Sequence, residues 1–288
     1  MSTIKFYTPV ESVRDGWTCR YEDKFVTVGS CFSDSIGGRM RQCGMDAIVN
    51  PFGTLYNPAS IAMCLNRCLD QQWITDNDLV NYEGLWHSWL HHSSFSNAEK
   101  RLCIDACNVR MQETRDRLQS GCKLIVTFGT SYVFEKVGDG MVVGNCHKLP
   151  ACNFNRRLLS VSEIVNIWIH LLERLSGMGV EVLFTVSPIR HLADGAHGNQ
   201  ISKSTLLLAV DELSHSCGNV CYFPAYEIVL DELRDYRFYE RDLVHPSDVA
   251  LDCVWNHFQQ SYLTVEDIAK CEQGWKESRR EMHRPMRK

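Results

Sequence analysis

The sequence is first narrowed by what it lacks. It has no run near the roughly 20 apolar residues that a membrane helix needs, so no membrane partner is expected. Met1 to Val10 is polar and broken by Pro9, with neither a positive lead nor an apolar stretch of secretory length. A cytoplasmic protein is expected. No Pro/Gly/Ser-rich linker, internal repeat or low-complexity segment divides the 288 residues, which therefore read as a single domain, 1–288. There is no basic stripe. The net charge is −5, and cations gather only at Arg279, Arg280, Arg284, Arg287 and Lys288. That tail, from about residue 274, is expected to be solvated, and no nucleic-acid partner is expected. Neither HExxH nor a Cys/His quartet occurs, so no metal and no resident cofactor are expected.

What is present fits a globular protein. The chain is 44% hydrophobic and 23% charged, enough apolar mass for one large core or two small ones. Fourteen cysteines without a secretory leader are expected to be mostly free thiols. Cys64 with Cys68, and Cys103 with Cys107, fall four apart in helix-like stretches. That spacing puts two small apolar side chains on one face, so they read as core.

Five short β-rich runs alternate with helical patterns. The runs are residues 24–28, 47–49, 124–128, 180–186 and 219–223. Helices are expected over 32–41, 61–69, 97–118, 161–175, 203–213, 248–258 and from 265 onward. The alternation predicts a three-layer α/β/α fold around a mostly parallel five-stranded sheet. An insertion is expected over about 71–120, beginning with an irregular aromatic stretch that holds Trp73, Trp86, Trp89, Phe95, His87, His91 and His92. A lid or substrate wall is the expectation there.

In such sheets ligands bind beyond the carboxyl ends of the strands, and two motifs lie there. Gly29-Ser30-Cys31 ends a strand as a helix begins. Such a turn aims backbone N–H groups into a cleft and places a hydroxyl or a thiol as a nucleophile. It equally suits a plain helix cap. Late in the chain, Asp242 stands three residues before His245-Pro246. A carboxylate so placed holds Nδ1–H and leaves Nε2 as a base.

These residues resemble the GSCFA family, a branch of the SGNH (GDSL-like) hydrolase superfamily. The resemblance runs through Gly29-Ser30-Cys31-Phe32-Ser33, the Asn50 to Pro58 segment, Asn145-Cys146-His147-Lys148, Ser187-Pro188-Ile189-Arg190-His191, and Arg234 to Tyr239 leading into Asp242 and His245. It implies a flavodoxin-like sheet and ester or acyl chemistry. The superfamily's Gly-Asp-Ser block, laid on Gly29-Ser30-Cys31, puts the nucleophile at Cys31, with Ser30 one residue away as the alternative. Gly53 matches the second-block glycine, an oxyanion donor. The third-block asparagine is missing, and Ser131 or Asn145 is expected to replace it. Asp242 and His245 match the last block.

Lys148, Arg190, His191 and Lys203 are expected to bind an anionic part of the substrate, His147 is expected to join them as a substrate contact, and Arg237 either does the same or braces the loop of Asp242 and His245. Three functions follow. The first is an esterase acting on an O-acyl ester, typically the O-acetyl group of a carbohydrate or related small molecule. The second is an acyltransferase carrying an acyl group from acyl-CoA, as co-substrate, to a sugar hydroxyl. The third is a binding module that kept the fold and lost the chemistry.

Overall fold

The computed structural model of the chain describes residues 7–11 and 16–282. Arg284, Arg287 and Lys288 of the basic tail lie outside the described residues. Strand β1 (Lys24–Gly29) leads through helix α1 (Cys31–Gln42) to β2 (Asp46–Val49). Helix α2 (Pro58–Leu69), a hairpin of β3 (Leu79–Tyr82) and β4 (Leu85–Ser88), and α3 (Lys100–Gln119) then lead to β5 (Lys123–Phe128). A second hairpin, β6 (Tyr132–Lys136) with β7 (Phe154–Leu158), precedes α4 (Val161–Gly177) and β8 (Glu181–Val186). After α5 (Gly195–Ser216) and β9 (Val220–Tyr222) come the short turn α6 (Ala225–Glu227), α7 (Asp248–Tyr262) and α8 (Val265–Met282).

The five expected strands form one sheet in the order β2-β1-β5-β8-β9, and every pairing in it is parallel. Counted along the chain within that sheet, the order is 2-1-3-4-5, the flavodoxin-like arrangement. Alternate residues of each strand face opposite sides. Val26, Val28, Leu124, Val126, Phe128, Val182, Phe184 and Val186 pack under α2, α3, α4 and α5. Phe25, Ile125 and Leu183 pack under α1, α7 and α8. Both faces are covered, which is why the strands read as almost continuous apolar runs.

Local signals place the helices. Asn57 caps α2 by accepting from Ser60 N–H at 2.8 Å, with Pro58 at the first helical position. A capping box of Ser160 and Glu163 opens α4. Cys64, Cys68, Cys103 and Cys107 are all buried on the inner faces of α2 and α3. No described helix is long and apolar enough to cross a membrane.

The stretch expected as an insertion behaves as two parts. Cys107, Met111 and Leu118 put α3 in the same core as Val26 and Val28, so α3 is a layer helix. The part before it is not irregular but carries the β3–β4 hairpin. Its end props the loop after β2: His92 N–H donates to Phe52 O at 2.9 Å, and the His91 ring meets Phe52 edge-on at 5.8 Å. Helix α5 begins eight residues before the expected Lys203, at Gly195.

Candidate active site

The carboxyl edge of the sheet gathers the candidate residues. Gly29 ends β1 at φ +140°, and a Cβ there would lie 2.1 Å from Thr127 O on β5. Only glycine fits such a position. Its N–H donates to Asn50 Oδ1 at 2.9 Å, and its carbonyl accepts from Leu55 N–H at 2.9 Å. Ser30 N–H donates to Thr127 O at 3.2 Å. The turn is thus held from β5 on one side and from the loop after β2 on the other.

Within the turn the two candidate nucleophiles part. Ser30 is fully buried and caps α1, its Oγ accepting from Phe32 N–H at 3.3 Å. Cys31 is the first residue of α1 and is only half-buried. Among the described residues no oxygen accepts from the Cys31 N–H, whereas the amides on both sides of it are committed. Burial pushes the Cys31 thiol up, and Asp34 adds to the rise. The N–H groups of Cys31 and Phe32 and the Lys203 cation pull it down.

The late pair is bonded as expected. Asp242 Oδ1 accepts from Val244 N–H at 2.9 Å and His245 N–H at 3.0 Å. Its Oδ2 sits 2.6 Å from His245 Nδ1. Those two backbone N–H groups, then the imidazole, hold the Asp242 carboxyl down at about 2. Both side chains are half-exposed, so the ionic attraction is screened and the contact serves chiefly to orient the ring. With Nδ1–H donated to Asp242, Nε2 is left as the basic nitrogen. Pro246 and the cap Ser247 follow, and α7 starts beside α1. Arg39 of α1 clamps the two helices, with Nη2 3.4 Å from Asp248 O and Nε 3.1 Å from Asp252 Oδ1. Arg190, in the loop after β8, holds the pair's loop through Leu243 O at 3.1 Å and Val244 O at 3.2 Å.

Several expected roles are corrected. The Gly53 N–H is committed to Asn50 O at 2.8 Å, and its φ of +71° marks a turn glycine. Ser131 is fully buried and its Oγ donates to Ser202 O at 3.2 Å, so it does not offer the missing donor. Asn145 uses its Oδ1 on His147 N–H at 2.7 Å. The preceding Gly144 packs on Leu55 and Leu90.

His147 is no substrate contact. It is buried, stacks on His87 at 4.5 Å, and bonds Ser88 O at 2.8 Å and Ser93 Oγ at 3.1 Å. Lys148 beside it is exposed. Arg237 is exposed over Phe238. Lys203 is no solvent-facing anion clamp: it is 1% exposed.

His191 joins the two halves of the site. Its ring meets Tyr56 edge-on at 5.7 Å. Burial first, then the Lys203 cation, lower it to about 4, with Asp194 opposing and His245 adding to the fall. A neutral imidazole therefore lies within electrostatic reach of both Lys203 and His245. Two residues of the site were not singled out from the sequence. Asn50 clamps the nucleophile turn, and the Tyr56 carbonyl accepts from Gly129 N–H at 2.8 Å and Thr130 N–H at 2.9 Å. Their position just after β2 was the available signal.

An open groove of about 440 Å³ adjoins this edge, walled by Arg190, Gln200, Tyr226, Arg234, Tyr236 and Tyr239. Neither Cys31 nor His245 lines it. Arg190 stands between the groove and the loop of the pair.

The buried His147 makes stability depend on pH. Burial lowers it to about 4, whereas an unfolded histidine titrates near 6.5. Acid therefore favours the unfolded chain. The stability this neutral ring supports is fully present above pH 6.5 and is lost as pH falls toward 4. Between pH 7 and pH 5 the loss should be roughly 2 kcal/mol. In urea titrations at those two pH values, His147→Gln should shrink the wild-type difference by about that amount. An unchanged difference would show that His147 titrates normally.

The parallel 2-1-3-4-5 sheet, with a thiol-bearing helix N-terminus and an Asp–His pair at its carboxyl edge, defines an α/β protein of the flavodoxin-like class. The chain belongs to the GSCFA family, whose model matches residues 24–258. Among solved structures it is similar to the psychrotrophic esterase EstA from Pseudoalteromonas sp., in a form inhibited by monoethylphosphonate. That likeness is 9% identity over 83% of this chain and 96% of that one, with a TM-score of 0.38. At that distance it says nothing of what this chain acts on. Among curated proteins nothing matches.

Proposed function

We propose that this protein is a hydrolase of O-acyl esters, with the O-acetyl ester of a carbohydrate as its substrate class. The observation that carries the reading is the His245 imidazole, fixed 2.6 Å from Asp242 and half-exposed at the head of α7, beside the helix that begins with Cys31. His245 Nε2 takes the thiol proton as Cys31 Sγ bonds to the ester carbonyl carbon. The oxyanion meets the Cys31 N–H and the positive end of α1. When the C–O bond breaks, His245 returns the proton to the leaving alcohol. Water then adds to the thioester, giving its proton to His245, and the acid leaves as Cys31 regains a proton. Asp242 orients the ring and balances its charge.

The groove beside Arg190 suits the alcohol portion. Tyr236 and Tyr239 offer flat faces and hydroxyls, Tyr226 adds a wall whose hydroxyl is bonded to Gln200, and Gln200 and Arg234 offer donors, a combination matched to a polar ring. Asp242→Asn should lower kcat/KM for p-nitrophenyl acetate by roughly 10²–10⁴ with KM little changed. Activity within a few-fold of wild type would remove His245 from its role. A thiol nucleophile also suits transfer from a thioester donor such as acyl-CoA to a sugar hydroxyl. Turnover of p-nitrophenyl acetate without acceptor, with acetyl-CoA inert, would exclude that second reading.

A further inference from the structure

Lys203 lies in the apolar stripe of α5, with Leu206, Ala209, Val210 and Leu213. An ammonium is costly in such surroundings unless something holds it. Its Nζ donates to Gly129 O at 2.7 Å and to Ser187 O at 2.6 Å, the carbonyls that follow β5 and β8. Gly129 in turn abuts the nucleophile turn: a Cβ there would lie 3.3 Å from Ser30 Cβ and 3.2 Å from the Tyr56 ring. The cation is therefore one residue removed from the turn that bears Cys31.

No carboxylate pairs with Lys203 among the described residues. The ionisable groups around it are Cys31, His191 and Tyr226, whose ring centroid is 5.9 Å from Nζ. Asp34 and Tyr56 also interact with Cys31, and the Tyr56 ring packs against Gly129. Of these neighbours, the one positioned to take up negative charge during attack is Cys31.

We propose that Lys203 is a positioning residue of the Cys31 site: its ammonium ties the ends of β5 and β8 together behind the turn and favours negative charge on the thiol. This rests on Cys31 being the nucleophile. It also supplies what the committed Gly53 and Ser131 do not, a positive charge near the developing anion. Burial lowers Lys203 to about 7, and Cys31 opposes that fall, so each group favours the charged form of the other.

The test reads the thiol and not ester cleavage. The full chain is alkylated with iodoacetamide across pH, and Cys31 is followed by peptide mass spectrometry, with the exposed Cys152 as internal control. Lys203→Met removes charge and donors. Lys203→Gln removes the charge but keeps an amide to donate. Both should shift the Cys31 pH–rate profile, slowing alkylation several-fold at and below pH 7, where Lys203 is charged, and converging with wild type at higher pH. Lys203→Arg should recover part of the shift, and Cys152 should not move. An unchanged Cys31 profile in a folded neutral variant overturns the proposal. Should neither neutral variant fold, ¹⁵N-lysine NMR decides: the Lys203 Nζ should titrate higher when Cys31 carries a carboxymethyl anion from iodoacetate than when it carries the neutral carbamidomethyl group from iodoacetamide, and identical titrations overturn the proposal. A shifted Cys31 profile alongside full esterase activity in Cys31→Ala would leave this inference standing and sink the proposed function.

Discussion

Cys31→Ala should lower kcat/KM for p-nitrophenyl acetate by a factor on the order of 10⁴ or more, the usual consequence of losing a nucleophile. Ser30→Ala should leave activity within a few-fold of wild type. The contrast follows from how the turn distributes its two side chains. Ser30 is buried and accepts from Phe32 N–H, so it is spent on capping α1. Its loss should cost about 1 kcal/mol of stability, seen as a lower urea midpoint. Cys31 starts the helix and reaches the surface. Its thiol has a helix N-terminus behind it and the Lys203 cation nearby. Paired assays and urea titrations on the two variants separate these roles. Activity that survives Cys31→Ala and vanishes in Ser30→Ala would reverse the assignment.

Gly29→Ala should be severely destabilising, at roughly 4 kcal/mol or more. Two penalties act together. The residue sits at φ +140°, and a Cβ would lie 2.1 Å from Thr127 O and 2.8 Å from its carbonyl carbon. Those are main-chain atoms of β5, held in register with Gly29 and unable to swing aside as a side chain would. Relief would require breaking the Ser30 N–H bond to Thr127 O, or the clamp from Asn50. Gly38 on α1 is the matched control. A Cβ there meets nothing within 4 Å, and Gly38→Ala should stabilise the helix by roughly 0.5–1 kcal/mol. Urea unfolding of both variants checks this, and a Gly29→Ala cost under about 1 kcal/mol would mean the turn is far looser than drawn.

The features legible in the sequence are those set by short-range physics. The five strands were readable because burial on both faces makes near-continuous apolar runs, as in Leu124 to Phe128. The Asp242–His245 pair was readable because its bonds close within four residues. The cap at Ser30 was visible for the same reason. What escaped depends on distant partners. Asn50 reaches across to Gly29, and nothing local distinguishes it from an ordinary turn asparagine. Gly53 is the exception: its N–H was expected to face a ligand, yet it closes a local turn on Asn50 O three residues back. Lys203 was expected to meet an anionic substrate group because lysine usually keeps its charge in water. Its helical register with Leu206 and Val210 was the overlooked sign. The β6–β7 hairpin was missed because it is a surface ribbon in which only Val133 is buried, leaving no alternation to detect.

The central claim is that Cys31 carries the acyl group while His245, oriented by Asp242, moves the proton. Intact mass after brief exposure to an activated acetyl donor tests it most directly. One added acetyl group should appear on the wild-type chain, map to the peptide that contains Cys31, and be absent in Cys31→Ala. An acetyl group on Ser30, or undiminished acetylation in Cys31→Ala, would contradict it.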